Sequence, residues 1–534
     1  MDTAAQHALL LGDAIDQLVI DPHASQRWHA LLEVRNSAPD AVLDAQIAQA
    51  LRARLPGEGV AGFLRASYLA TVSGDAADTA EAGQLLLDLR PFDAERVMAF
   101  ATHQWAQSLA GGDGHGALHA ALSNARLPAL MALAGRELAR AAKPRSPRAV
   151  DAVRKVALVA PFLGAASHPP TEMALQHAAL LTELGCQVWL LSCQDLQQAH
   201  MSDYLGGKGT IRVAGTELAD LQARLPPGVR VSVSDARFSL MLRWRAMLIE
   251  IAREDPDLVM FVGLQSPLMF PLHADWPVLG LNVHAIAPLA PVDVWLCADA
   301  ARAGRDDAEW GAPIGPAYAH YHPFRLPTPV SVAAPLTRGE LGLRPQQCVL
   351  LSVGHRLPGE IGAAWAVHML ALLKRHPDAV WLLAGGLGTL PPALADADPA
   401  QLRLIGHDAR LRSVYGCADI YVNPPRVGGG LSAGEAMAAG LPVLALAGGD
   451  AGSKLGELAL ADDDAYFASL EALLAAPALR ADTGARLRER FATTLDLGRS
   501  HASLRAAIQL AVARFHARIG QAAQALRRPG PGGA

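Results

Sequence analysis

Cysteine is scarce and scattered in this chain. Five of 534 residues, Cys186, Cys193, Cys297, Cys348 and Cys417, form no Cys-x-x-Cys pair. Such a set supplies neither a zinc knuckle nor a disulfide framework, and four of the five lie in or beside apolar strand-like segments, as buried thiols do. Charge is also thin, at 18% of residues, and 46 basic against 51 acidic residues leave a net charge of −5. No basic footprint for nucleic acid is present. Gly, Pro, Asp or His interrupts every apolar stretch before the ~20 residues that a bilayer requires. The opening MDTAAQHALLLGD has no basic n-region and carries Asp2 and Asp13, so it does not read as a signal peptide, and a cytoplasmic location is expected.

What the chain does have is apolar mass. At 51% apolar and 534 residues it exceeds what one hydrophobic core can organise, and three domains are expected. Residues 1–150 repeat apolar positions every three or four residues, as in AVLDAQIAQALRARL (41–55), AERVMAFATHQWAQSLA (94–110) and LPALMALAGRELARAA (127–142). An all-α domain follows from that period, without a regular 34-residue consensus. KPRSPRAVD (143–151) reads as a linker.

From residue 154 the pattern changes. RKVALVAPFL (154–163), CQVWLLSC (186–193), DLVMFVG (257–263), VLGLNV (278–283) and VDVWLCA (292–298) are short Val- and Leu-rich runs separated by helical stretches. Strands alternating with helices make a parallel sheet covered on both faces. A proline-rich connection near 320–345 ends this domain of 151–330, and the alternation restarts. CVLLSVG (348–354), AVWLLAGG (379–386), LRLIG (402–406), DIYVN (419–423) and PVLAL (442–446) are strands of a second sheet, with helices at 361–376, 409–417 and 431–440. That domain spans 345–500, followed by a helix over 501–525 and a tail, 526–534, expected to be disordered. The fold class is α/β: two doubly wound, Rossmann-like domains with a cleft at the strands' carboxyl ends, where open α/β sheets bind ligands.

The chemistry concentrates after DIYVN. PPRVGGG leads into a helix near Leu431, and glycines ahead of a helix offer amides and the positive end of its dipole to an anion such as a diphosphate. The stretch GGGLSAGEAMAAGLPVLAL (428–446) resembles the donor motif of family 4 GT-B glycosyltransferases, EGFGLxxxEAMAxGxPV. The resemblance implies that Gly429, Gly430, Leu431 and Ser432 face the diphosphate and that Glu435, the second Glu of a Glu-x7-Glu pair, binds the donor's ribose. The first Glu of that pair, a sugar contact in the family, is replaced by Val427. A second reading of Ser432-x-x-Glu435 is a capping box at the helix start. LLSVGHRLPGE (350–360) resembles the family's VGRLxxEKG loop, which implies that Gly354 and Arg356 line the leaving diphosphate; the family's Lys is missing, with Ile361 near its place. Lys454 in GGDAGSKLGE (448–457) either substitutes for it or stands in solvent. His407 in LIGHDARL falls where related enzymes hold the nucleobase, or is a plain loop histidine.

His168 in SHPPTEMALQHA and His284 in LNVHAIAP lie at expected strand ends facing the cleft, each either a general base for the acceptor or a hydrogen-bonded loop residue. The runs DAD (396–398) and DDD (462–464) match metal-binding DxD patterns only superficially, since one lies in a Pro/Ala loop and the other at a helix start. No metal and no cofactor beyond the sugar nucleotide is expected. The helical domain ahead of a GT-B core is similar to the layout of family 41 enzymes, including bacterial protein glycosyltransferases. The resemblance covers roughly 155–520 and implies transfer of a sugar from a nucleoside diphosphate sugar to a protein or glycan acceptor. The helical domain then either engages that acceptor or is a stabilising appendage. A sugar-nucleotide epimerase, a phosphorylase and a catalytically silent nucleotide-sugar binder remain as alternatives. FSLMLRWRAMLIEIARE (238–254) pairs apolar residues with Arg243 and Arg245, leaving a peripheral membrane contact open beside a core-facing helix.

Overall fold

The computed structural model describes residues 3–37, 41–110, 114–140, 150–164, 168–197, 218–327, 335–385, 390, 392–406 and 410–527. Eight helices come first: α1 (Thr3–Ile20), α2 (Ser25–Ser37), α3 (Ala41–Arg54), α4 (Gly59–Ser73), α5 (Ala76–Asp88), α6 (Ala94–Ala110), α7 (Gly114–Asn124) and α8 (Leu127–Arg140). The expected linker, 143–151, falls almost wholly outside the described residues.

The first sheet holds β1 (Lys155–Val159), β2 (Gln187–Ser192), β3 (Arg230–Val233), β4 (Leu258–Val262), β5 (Val278–Leu281), β6 (Val294–Cys297), β7 (Asp306–Asp307) and β8 (Ala317–Tyr321), interleaved with α9 (Pro169–Glu183), α10 (Leu218–Ala223), α11 (Leu240–Glu254) and α12 (Met269–Asp275). Its order is β3-β2-β1-β4-β5-β6-β8-β7, parallel except for the antiparallel edge strand β7. The period of two sends Val156 and Leu158 to one face and Ala157 and Val159 to the other, so each strand feeds two cores.

The face carrying Ala157, Val159, Val259 and Phe261 shares one continuous apolar cluster with the N-terminal helices, including Leu130, Met131 and Phe100. The helical domain is therefore fused to the sheet rather than tethered to it. Gly135 on α8 permits this approach: a Cβ there would overlap the ring of Phe270 on α12. Glu95 on α6 reaches across and accepts the Leu240 amide at the start of α11, 2.8 Å away.

The second sheet is parallel throughout, in the order β11-β10-β9-β12-β13, from β9 (Cys348–Val353), β10 (Ala379–Ala384), β11 (Leu402–Ile405), β12 (Ile420–Val422) and β13 (Val443–Leu444). Its helices are α13 (Leu357–Glu360), α14 (Ala363–Arg375), α15 (Gly430–Ala439), α16 (Asp450–Leu455), α17 (Asp463–Ala475) and α18 (Pro477–Arg490). The segment expected as a helix at 409–417 is instead a 3-10 turn over Leu411–Cys417. The last helix, α19 (His501–Arg527), crosses back: Leu504, Ala507, Ile508 and Ala511 fill the core on the first sheet's other face. All five cysteines are unpaired thiols, three buried and two half-buried. Among the described residues no helix is long and apolar enough to cross a membrane. α11 buries Leu240, Arg243, Trp244, Met247, Leu248 and Ile251, and leaves Leu242 and Ile249 exposed on its outer face with Arg245.

Candidate functional site

β12 ends at Val422, and the chain passes through Asn423-Pro-Pro-Arg426-Val427 to three glycines, the last of which opens α15. Each glycine makes room for a different side chain. A Cβ on Gly428 would lie 2.6 Å from Arg356 Nη2, one on Gly429 would overlap Asn423 Oδ1, and one on Gly430 would lie 2.9 Å from Asp450 Cβ. Gly429 is the N-cap of α15 with φ of 89°, a left-handed conformation that glycine adopts at little cost. The turn is thus packed against Arg356, Asn423, Arg426 and Asp450, with Gly428 and Gly430 buried and Gly429 half-buried.

Those polar groups are organised by Arg426. Its guanidinium binds Asn423 Oδ1 (2.9 Å), Glu360 Oε2 (3.0 Å) and the Val353 carbonyl (3.0 Å). Glu360 Oε1 in turn accepts from Arg356 Nε at 2.8 Å, so one buried carboxylate holds two arginines. Arg426 fixes the loop from within, while Arg356 is part-exposed beside the same carboxylate. Gly354, with φ of 159°, lies in the same frame: a Cβ there would come within 2.7 Å of Arg426 Nη1. Sequence reasoning missed Glu360, Asn423 and Arg426, though Glu360 ends LLSVGHRLPGE, Asn423 ends DIYVN and Arg426 lies in PPRVGGG.

Ser432 is the third residue of α15, not its cap. Its hydroxyl accepts from Tyr421 Oη (2.8 Å) and lies 3.3 Å and 3.2 Å from the Val353 and Gly429 carbonyls. The capping-box reading is therefore corrected. Glu435 stands one turn on, partly exposed, beside Tyr415, whose phenol is pushed well up by burial and then by the Glu435 charge. Val427 is fully buried in the apolar cluster shared with the helical domain, and Ile361 is buried among Leu357, Trp365 and Met369, so both positions that depart from the family motif serve packing.

Lys454 is neither exposed nor on a loop. It lies buried in α16, where burial lowers its ammonium to about 8 despite the nearby Asp450 charge. His407 lies outside the described residues. His168 caps α9 by position, with Nδ1 2.8 Å from Thr171 Oγ1; burial, and next the neighbouring His355, push it down to about 4. His355, also lowered by burial, follows Gly354 and was not anticipated. Asp462 accepts the Ala465 amide as the N-cap of α17, and Asp398 accepts from Ala400 N, so the acidic runs act as caps and turns.

His284 is the histidine that the fold turns into a junction. It is buried after β5, with Nδ1 3.1 Å from Asp450 Oδ2, and its Nε2 accepts from Trp105 Nε1 at 3.3 Å. The other Asp450 oxygen lies 2.6 Å from His115 Nε2. Burial alone would raise the Asp450 carboxyl, but the His284 and His115 interactions outweigh it and hold it well below the ordinary range. Trp105 and His115 come from α6 and α7, His284 from the first sheet and Asp450 from α16, so three domains meet at one carboxylate. No spacing rule could have joined residues 115, 284 and 450 in advance.

Residues 347–476 match the family described as Glycosyl transferases group 1. No curated protein sequence matches the chain. Among solved structures, an O-GlcNAc transferase mutant from Thermobaculum terrenum is similar over 97% of this chain and 100% of its own, with 18% identity and a TM-score of 0.55. A glycosyltransferase from Rickettsia africae aligns over 68% of this chain and 99% of its own, with 13% identity and a TM-score of 0.48. The chain is a GT-B protein, with a helical domain ahead of two Rossmann-like domains, that resembles the group 1 glycosyltransferases in its second α/β domain and the family 41 enzymes in layout.

Proposed function

We propose that this protein transfers a sugar from a nucleoside diphosphate sugar to a protein or glycan acceptor. The observation that carries the reading is the turn Gly428–Gly430 opening α15, with Arg356 Nη2 against it. The first-turn amides of Gly430, Leu431 and Ser432 have no acceptor within their own helix, and the dipole favours an anion there. A diphosphate seated on that turn meets the Arg356 guanidinium, which stabilises the charge released as the anomeric carbon–phosphate oxygen bond breaks. Glu435, one turn further along α15, binds the ribose hydroxyls. Lys454 adds positive charge from α16 behind the turn. The reaction needs no metal, the acceptor approaches from the first α/β domain, and the protein works in the cytoplasm. The outer face of α11, with Leu242, Arg245 and Ile249, is where a peripheral membrane contact would form.

A second reading is a nucleotide-sugar binder without turnover, or another GT-B enzyme, and the burial of Val427 and Ile361 is what favours it. Thermal-shift measurements with UDP, GDP and ADP and their sugars separate the readings. One nucleotide diphosphate should stabilise the protein, and Glu435→Ala and Arg356→Ala should each weaken the effect. Stabilisation by none of them overturns the donor site. Binding without donor hydrolysis or transfer favours the silent reading.

A further inference from the structure

The His115–Asp450–His284 cluster has a protonation pattern that can be read from its neighbours. An indole N–H is a donor only, so the His284 Nε2 that faces Trp105 Nε1 at 3.3 Å must offer a lone pair. The proton of neutral His284 therefore sits on Nδ1, where Asp450 Oδ2 accepts it at 3.1 Å. His115 donates from Nε2 to the other oxygen at 2.6 Å, and its backbone N–H donates to the Gly448 carbonyl at 2.6 Å, which ties α7 to the loop before α16.

The three ligand-type atoms lie within 4.8 Å of one another, close enough to suggest a metal site. Two features argue for hydrogen bonds instead. A metal on Nδ1 would move the proton to Nε2, against the Trp105 N–H. The 2.6 Å contact is also shorter than the roughly 3.3 Å between two ligands of a tetrahedral zinc ion.

We propose that Asp450 and Trp105 are positioning residues for His284 as the general base of transfer, so that the helical domain completes the active centre. The inference rests on the transferase reading above. Asp450 fixes the tautomer with Nε2 unprotonated, and the Trp105 N–H marks the place where the acceptor hydroxyl docks. In the step, the acceptor O–H replaces the indole N–H at Nε2. Its proton passes to Nε2 as its oxygen bonds to the anomeric carbon. The bond from that carbon to the phosphate oxygen breaks, and its electron pair leaves with the nucleoside diphosphate. The imidazolium so formed keeps its Nδ1–H bond to the Asp450 carboxylate, the logic by which a buried Asp supports a catalytic His.

The test uses full-length protein labelled with 15N-histidine, with the His284 signals assigned by their loss in His284→Gln. Wild-type His284 should show the Nδ1–H tautomer, and Asp450→Ala should mix or reverse it. Trp105→Phe should shift the Nε2 resonance without altering the tautomer to the same degree. Nucleoside diphosphate release from the sugar nucleotide that stabilises the protein, with water as acceptor, gives the second readout. Asp450→Ala should lower kcat about a hundredfold with the donor KM held within threefold. An Nε2–H tautomer in the wild type overturns the inference without any variant. Release that Asp450→Ala leaves unchanged overturns this inference alone. Absence of both nucleotide binding and release in the wild type overturns the transferase reading beneath it.

Discussion

Glu360 and Arg426 form an ion pair of 3.0 Å with 2% of either side chain exposed, and that pair is the keystone of the loop framing the glycine turn. A buried charge left without its partner is costly, because neither water nor another ion replaces the lost contact. Glu360→Ala should therefore destabilise the protein by about 3–5 kcal/mol. It should also release Arg356, so the fraction that stays folded should bind the nucleotide diphosphate more weakly. Urea unfolding with calorimetric titration checks both effects.

Gly429→Ala combines a left-handed backbone at φ of 89° with a Cβ that overlaps Asn423 Oδ1. The expected cost is about 3 kcal/mol, with loss of nucleotide stabilisation. Gly359→Ala is the control, since a Cβ there meets nothing within 4 Å. Equal thermal shifts with nucleotide in the two variants would contradict the assigned role of the turn.

Acid should weaken the fold through buried neutral histidines. Burial pushes His103 and His177 from the ordinary 6.5 down to about 4. Above pH 6.5 both folded and unfolded states hold them neutral, and their full contribution to stability is present. Between pH 6.5 and about 4 the unfolded chain binds protons that the folded chain refuses, so stability falls as pH falls, by at most about 3 kcal/mol per histidine. The urea midpoint at pH 7.5 should exceed that at pH 4.5, and His177→Leu should flatten the difference.

The return of α19 to the first sheet gives a spatially resolved expectation. Leu504→Ala opens space in the core shared with Val156, Leu158 and Leu279, and should cost about 3 kcal/mol. Amide exchange should quicken in β1, β4 and β5 and much less in β9 and β10, although residue 504 is nearer in sequence to the second sheet. Uniform protection losses in both sheets would contradict the packing.

Much of the fold was legible in the sequence because it depends on local periodicity. The Val- and Leu-rich runs became β1, β2, β4, β5, β6 and β9 to β13, and alternation of 156 with 157 or 380 with 381 sorted their side chains between cores. β3, β7 and β8 were not anticipated: RVSV is only half-buried, DD is a two-residue edge strand, and AYAHY, between β6 and that edge, alternates buried with half-buried positions, so none has an apolar run to announce it.

The glycine turn and the helix it opens were also legible, because a helix start is written in consecutive residues. The chain alone thus determined the two doubly wound sheets, the helical domain before them and the glycine turn that opens α15. Tertiary structure alone decided that the helical domain shares its core with the first sheet, that Arg426 and Glu360 brace the turn, and that Lys454 is buried. It also decided that His284 meets Asp450, His115 and Trp105. Secondary structure follows from neighbours in sequence. Burial, ion pairing and proton position follow from neighbours in space, and those three partners lie 166, 169 and 179 residues from His284.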